Sequence, residues 1–338
     1  MEEKNIICAA PFQSLEIHED GTYVCCSNWC NFYKVGDIKT QTYEEIWNSD
    51  EIKEFRKKML DGTSDTICNE EICPFYHSMH ISDYNVNQEL PNEIIMNASP
   101  QLVKFAYDSE CNLNCNFCRD KIIRNDHKKN KEYDSLIKSK LLPSLKDTKR
   151  VLLNAAGEPF ASKHTKKLIG EITKKYKNIK FDFFTNGTLC SERMLKSLKL
   201  TDKIYRIRLS LNAAKKETYN KVCPGNGKLF DIAIDNIKYL SRLKEKNYFE
   251  FFIQMVVTAD NYKDIPEFID LCHRYNAFAS LWQFYPVCCT YENAPIERLN
   301  VFDSKHPEYE SLIEVLQHEN LKKDNVYLSP LITSLIKQ

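Results

Sequence analysis

The chain has 338 residues with 47 basic and 47 acidic side chains and 14 cysteines, a length that suggests about two domains of ordinary size. The zero formal charge, with Lys and Arg interleaved among Asp and Glu, excludes the basic stripe of a nucleic-acid-binding protein, and no stretch approaches the ~20 apolar residues of a membrane span. The N-terminus, Met1-Glu2-Glu3-Lys4, has no signal-peptide core. The expectation is therefore a soluble cytoplasmic protein, in which so many cysteines indicate metal or redox chemistry and not disulfides.

In chain order, Leu15–Ile17, a turn at Asp20-Gly21 and Thr22–Cys26 predict a hairpin. Thr42-Tyr43-Glu44-Glu45 has the capping-box pattern ahead of Ile46-Trp47, and Ser49 is the expected cap of a helix over Asp50–Leu60 that Gly62 ends. Residues 81–101, with prolines and asparagines, read as a linker. Six strands then follow at Leu102–Tyr107, Arg150–Asn154, Lys180–Thr185, Tyr205–Leu211, Phe249–Thr258 and Phe278–Phe284. Helices are expected between them at Tyr133–Leu142, Lys163–Tyr176, Ser191–Leu198, Leu229–Lys246 and Ile265–Tyr275, with one more at Glu308–Gln317. The expected division is a cysteine-rich α+β module over residues 1–80, the linker 81–101, a β/α domain over 102–285 and an extension over 286–338. Serial β–α units mean parallel strands in an open sheet or a partial barrel, with the chemistry at the carboxyl ends of the strands.

Directly after the first of these strands comes Cys111-Asn112-Leu113-Asn114-Cys115-Asn116-Phe117-Cys118. Three thiolates in one loop can converge on an iron–sulfur cluster, and soft sulfur also favours zinc. A closed zinc site wants a fourth protein ligand, for which His127 is the only near candidate, whereas three ligands leave one metal open to a cofactor. The loop resembles the Cx3CxΦC motif of the radical S-adenosylmethionine (radical SAM) superfamily. That resemblance implies a [4Fe–4S] cluster on Cys111, Cys115 and Cys118, S-adenosylmethionine (SAM) on the fourth iron, and Phe117 packed near the adenine.

Further matches lie at successive strand ends. Ala155-Ala156-Gly157-Glu158-Pro159 is similar to the GGEP motif with Ala156 in place of the first glycine, which implies that Ala156, Gly157 and Glu158 meet the SAM amino group. Phe184-Thr185-Asn186-Gly187-Thr188-Leu189 resembles TNG(T/I)L, and Ser210-Leu211-Asn212 resembles the ribose-contacting SxN pair. The same segments also read as a turn at Asn186-Gly187 and as helix caps at Ser210 and Asn212. Gln254, inside an apolar strand, is a weaker candidate for the methionine or ribose of SAM, and Trp282 and Phe284 for the pocket or the core.

Cys8, Gly21 and Cys26, then Val35-Gly36-Asp37-Ile38, Glu45-Ile46-Trp47-Asn48-Ser49 and Cys68-x4-Cys73-Pro74 resemble the SPASM/twitch auxiliary-cluster module. This module usually follows the radical SAM domain and here precedes it, without the usual second set of cysteines. The resemblance implies one auxiliary [4Fe–4S] cluster on Cys8, Cys26, Cys68 and Cys73. A zinc site of Cys26, Cys30, Cys68 and Cys73 is the structural alternative. Cys25 and Cys26, adjacent on a strand, point to opposite faces, so only one of them can aim at a metal.

The implied activity is reductive cleavage of SAM to a 5′-deoxyadenosyl radical and hydrogen abstraction from a substrate, with electrons from a flavodoxin- or ferredoxin-type donor. The implied substrates are a peptide matured by modification, or a sugar or aminoglycoside. No segment of domain size is left over for binding a peptide leader, which weighs against the peptide. Cys288-Cys289, just past the sixth strand, are candidate hydrogen-atom donors to a substrate radical, or two passive thiols. The competing class is a non-enzymatic iron–sulfur electron carrier or redox sensor.

Overall fold

A computed structural model describes residues 8–24, 33–68, 73, 91–153, 156–224, 227–286 and 291–337. The chain forms two compact units, one of residues 1–108, 125–156 and 167–180, the other of residues 109–124, 157–166 and 181–338.

The first unit carries β1 (Ser14–Ile17), β2 (Thr22–Tyr23), β3 (Lys34–Gly36), β4 (Leu102–Phe105) and β5 (Arg150–Leu153), in the order β5-β4-β1-β2-β3. The expected hairpin is present: Glu16 pairs with Tyr23 and Ile17 with Thr22, and the His18 N–H donates to Gly21 O across the turn. The strand β1 also runs parallel to β4, Ser14 beside Leu102 and Ile17 beside Phe105, a pairing that local periodicity does not specify.

The two helices Tyr43–Trp47 and Asp50–Leu60 begin where their caps require. Glu45 N–H donates to the Thr42 hydroxyl and Thr42 N–H to the Glu45 carboxylate, and Ser49 accepts from Ile52 N–H. Gly62, at φ 73°, ends the second in a left-handed conformation that costs glycine nothing. The fully buried Arg56 guanidinium stacks over Trp47 at 4.4 Å and donates to Pro11 O and Ile94 O. Trp47 Nε1 donates to Ala98 O, and Asn48 exchanges two bonds with Met96. The described part of the expected linker, from residue 91, is thus fastened by hydrogen bonds to this pair of helices.

In the second unit β6 (Lys180–Thr185), β7 (Ile204–Ser210), β8 (Glu250–Val257), β9 (Phe278–Gln283) and β10 (Val326–Leu328) are all parallel and lie in that order. Register separates their faces. Phe181, Phe183, Ile207, Leu209, Phe251, Ile253, Met255, Ala279 and Leu281 are fully buried on one face. Helices Lys228–Lys246 and Ile265–Arg274 pack against these strands with Ile237, Leu240, Phe268 and Ile269 buried. The other face is polar: Asp182, Arg206, Arg208, Ser210, Glu250, Gln254 and Ser280 share it with Phe184, Phe252 and Trp282.

All six expected strands and their helices form, with additions after β7 and β9. A helix over Lys216–Val222 precedes the long one at Lys228–Lys246, and β10 with the helix Pro330–Ile336 follows β9. The helix expected from Tyr133 starts earlier, at His127, because Asp126 caps it by accepting from Lys129 N–H at 2.7 Å. It then loosens into one π-turn at Ile137–Leu141.

Candidate active site

The cysteine loop is built by its own backbone. Cys111 N–H donates to Ile123 O, and Cys118 and Arg119 N–H both donate to Cys115 O, which curls the second half of the loop into one turn. Asn116 ties that turn down: its N–H donates to Val222 O, and its amide to Lys221 O and to the Asp260 carboxylate. Asp260 is held in turn by a two-pronged contact from Arg298, and the Tyr291 hydroxyl donates to Asn116 O.

All three thiols are half-buried. Burial pushes the Cys111 thiol up to about 11, against the Leu113 N–H and the Arg119 charge, which favour the thiolate. The Cys111 sulfur accepts from Leu113 N–H at 3.5 Å and the Cys118 sulfur from Arg119 Nε at 3.4 Å, while Arg119 Nη1 donates to Ser109 O. Donors aimed at sulfur, and a buried cation beside it, suit thiolates that carry a metal cluster's ligand charge. Among the described residues no three His, Cys, Asp or Glu side chains converge on a single metal ion, whereas a four-iron cluster takes its thiolates one to each iron.

Glu158 stands next to this loop. Its N–H donates to Glu110 O, and its carboxylate receives the Thr185 hydroxyl at 2.9 and 3.0 Å, Asn186 N–H at 2.7 Å and Phe160 N–H at 3.2 Å. Complete burial nevertheless dominates and raises its pKa from 4.5 to about 7. Asn186 links the carboxylate to the cysteine loop, because its amide donates to Asn112 Oδ1 at 3.0 Å and lies 3.9 Å from the Cys111 sulfur. Thr188 closes the ring: it donates to Asn186 Oδ1 and accepts from the Asn112 amide. Gly187 makes this strand end possible. Its φ is 78° and a Cβ there would sit 2.6 Å from Leu209 Cδ1, so the segment Thr185-Asn186-Gly187 is a turn as well as a set of site residues.

Ser210 and Gln254 are neighbours in register on the polar face. Asn212 is buried in a left-handed conformation with φ 61°; its Oδ1 accepts from Val256 N–H, and its carbonyl accepts from the Asn261 amide. It therefore clamps the ends of β7 and β8, and neither it nor Ser210 caps the next helix, whose N-cap is Lys215. Phe117 is half-buried on the cysteine loop, and Gly157 is half-buried beside Glu158, with Ala156 before it. Cys8, Cys68 and Cys73 are half-buried; Cys25, Cys26, Cys30, Cys288 and Cys289 lie outside the described residues.

Sequence reading passed over Arg119, the Asn116–Asp260–Arg298 chain, the Asn112–Thr188 pair and Cys223, whose sulfur is 3.1 Å from that of Cys115. Arg119, Asn116 and Asn112 carried a signal in their adjacency to the motif cysteines, and Thr188 in its place in the TNG(T/I)L segment. The rest are brought in by tertiary structure.

Residues 109–272 match the radical SAM superfamily, and residues 8–74 match the SPASM iron–sulfur cluster-binding domain. The fold and these matches define an α/β iron–sulfur enzyme with the open, partial (β/α)6 barrel of that superfamily and a small cysteine-rich N-terminal module. The chain belongs to the radical SAM superfamily, in the form that carries a SPASM domain, and it takes SAM, its [4Fe–4S] cluster and an auxiliary iron–sulfur cluster as cofactors. Membership in this family of enzymes decides against the electron carrier or redox sensor.

No curated protein matches the chain in sequence. Solved structures similar to it include Streptococcus suis SuiB bound to S-adenosylmethionine, 16% identical over 96% of this chain and 70% of that one with a TM-score of 0.45. TYW1 with a lysine–pyruvate adduct bound is 17% identical over 65% of this chain and 74% of that one, TM-score 0.40. HydG, a maturase of the [FeFe]-hydrogenase, is 14% identical over 70% and 49%, TM-score 0.41. Among the described residues no helix is long and apolar enough to cross a membrane.

Proposed function

We propose that Cys111, Cys115 and Cys118 hold the [4Fe–4S] cluster, and that the enzyme abstracts a hydrogen atom from a peptide or from a sugar or aminoglycoside. Bound there, the cluster and SAM supply a 5′-deoxyadenosyl radical once a flavodoxin- or ferredoxin-type donor provides an electron. The single observation that carries this reading is the three-cysteine loop with Leu113 N–H and Arg119 donating to its sulfurs, joined through Asn186 to the buried carboxylate of Glu158.

Glu158, kept in place by Thr185, Asn186 and Phe160, accepts the SAM amino group, with Ala156 and Gly157 supplying backbone. Phe117 packs against the adenine. Ser210, with Gln254 beside it, contacts the ribose, while Asn212 fixes the strand ends that carry them. The part of the polar face nearer the carboxyl ends of the strands, with Ser210, Gln254 and Ser280, suits a hydrogen-bonding substrate more than an apolar one.

Residues 1–80 form the auxiliary module, in which Cys8, Cys26, Cys68 and Cys73 hold one [4Fe–4S] cluster that assists oxidation or modification; residues 81–101 connect it to the barrel of 102–285, and 286–338 extend the barrel. Cys288 or Cys289 returns a hydrogen atom to the substrate radical. Anaerobic reconstitution followed by assay for 5′-deoxyadenosine with dithionite tests the central claim. Product is expected from the loaded wild type and none from Cys111→Ala, Cys115→Ala or Cys118→Ala; a loaded wild type that forms none refutes it.

A further inference from the structure

The helix Lys216–Val222 meets the cysteine loop at its last turn, where Val222 O and Lys221 O receive the two Asn116 bonds. Tyr219 and Cys223 are four residues apart on this turn and lie on one side of it, joined by Cys223 N–H to Tyr219 O at 2.7 Å. The Cys223 sulfur, 4% exposed, is 3.1 Å from the Cys115 sulfur. The Tyr219 ring is 1% exposed, and its hydroxyl makes no hydrogen bond within the described residues. A buried tyrosine hydroxyl keeps its proton, so Tyr219 is a donor here. Leaving such a hydroxyl unmatched is costly, and the Cys223 sulfur, one helical turn on, is the acceptor beside it.

We propose that Tyr219 and Cys223 form a donor chain to the cluster, Tyr219 O–H to the Cys223 sulfur and Cys223 S–H to the Cys115 thiolate, which positions Cys115 and raises the cluster's reduction potential. Both are positioning residues acting through Cys115, and the inference rests on Cys115 being a cluster ligand. Hydrogen bonds to a ligand sulfur favour the more negative, reduced state, and each link of a chain polarises the next.

The test is a redox titration of reconstituted full-length protein, followed by electron paramagnetic resonance on the signal that changes when SAM is added. Cys223→Ala is expected to lower the reduced-to-oxidised ratio at a fixed potential about tenfold, about 59 mV for one electron. Tyr219→Phe shifts it the same way by less, and Cys223→Ser, which keeps a donor, stays near wild type. An unshifted Cys223→Ala, or equal shifts in the Ala and Ser variants, overturns the donor chain. If Cys223→Ala instead loses iron, restoration of iron by Cys223→Ser supports the chain and equal loss in both refutes it. Cys115→Ala separates the two levels: it must lose the SAM-sensitive signal, and its persistence would overturn the ligand assignment itself.

Discussion

Glu158→Gln tests the electrostatics of the site without touching a cysteine. A pKa raised from 4.5 to about 7 by burial corresponds to about 3 kcal/mol, at about 1.4 kcal/mol per decade. The folded value lies above the unfolded one, so it is the ionised form that the fold disfavours. Below pH 4.5 the residue costs nothing; the penalty grows as pH rises from 4.5 to about 7 and is complete above that. A glutamine does not ionise, and any constant cost of facing its amide towards Phe160 N–H is the same at every pH. The difference in unfolding free energy, variant minus wild type, should therefore rise by about 3 kcal/mol between pH 4.5 and about 8. Urea unfolding of the iron-free chain, followed by circular dichroism and tryptophan fluorescence, measures it. Parallel stability curves for the two proteins across this window would refute the assignment of a strained buried carboxyl. The same carboxylate is the form that accepts an ammonium group, so SAM affinity of the loaded wild type should weaken as pH falls through 7, and Glu158→Gln should be weak throughout.

Gly187→Ala places a Cβ 2.6 Å from Leu209 Cδ1 at a φ of 78°; a loss of about 2–3 kcal/mol in urea unfolding is expected, and a loss of a few tenths would contradict the reading. Asp260→Ala removes the anchor shared by Asn116 and Arg298 and should speed release of iron to a chelator about fivefold, the equivalent of roughly 1 kcal/mol. Cys68→Ala or Cys73→Ala should reduce iron and sulfide from two clusters per chain to one while 5′-deoxyadenosine is still formed. Replacing Cys288 and Cys289 together with Ala should abolish solvent-deuterium incorporation into product and leave SAM cleavage intact.

Much of the local structure was legible because local chemistry dictates it. Thr42, Glu45 and Ser49 cap where their spacing says, Gly62 ends its helix in a left-handed conformation, and the six strands fall where apolar and aromatic runs place them. The helix starting at His127 was missed at its front end because its cap, Asp126, is followed by a lysine-rich turn without apolar periodicity.

The sequence by itself determined the chemistry: three cysteines in one loop, a glutamate and an Asn-Gly turn at successive strand ends, each specified by covalent spacing of a few residues. Tertiary structure alone decided which of these meet and what surrounds them. The pairing of β1 with β4, the capture of Glu158 by Thr185 and Asn186, and the approach of Cys223 to Cys115 join residues far apart in the chain. Alternation and helical period say which face a side chain occupies, and they are blind to the neighbour across the sheet or loop, which is chosen by burial and hydrogen bonding over the whole fold.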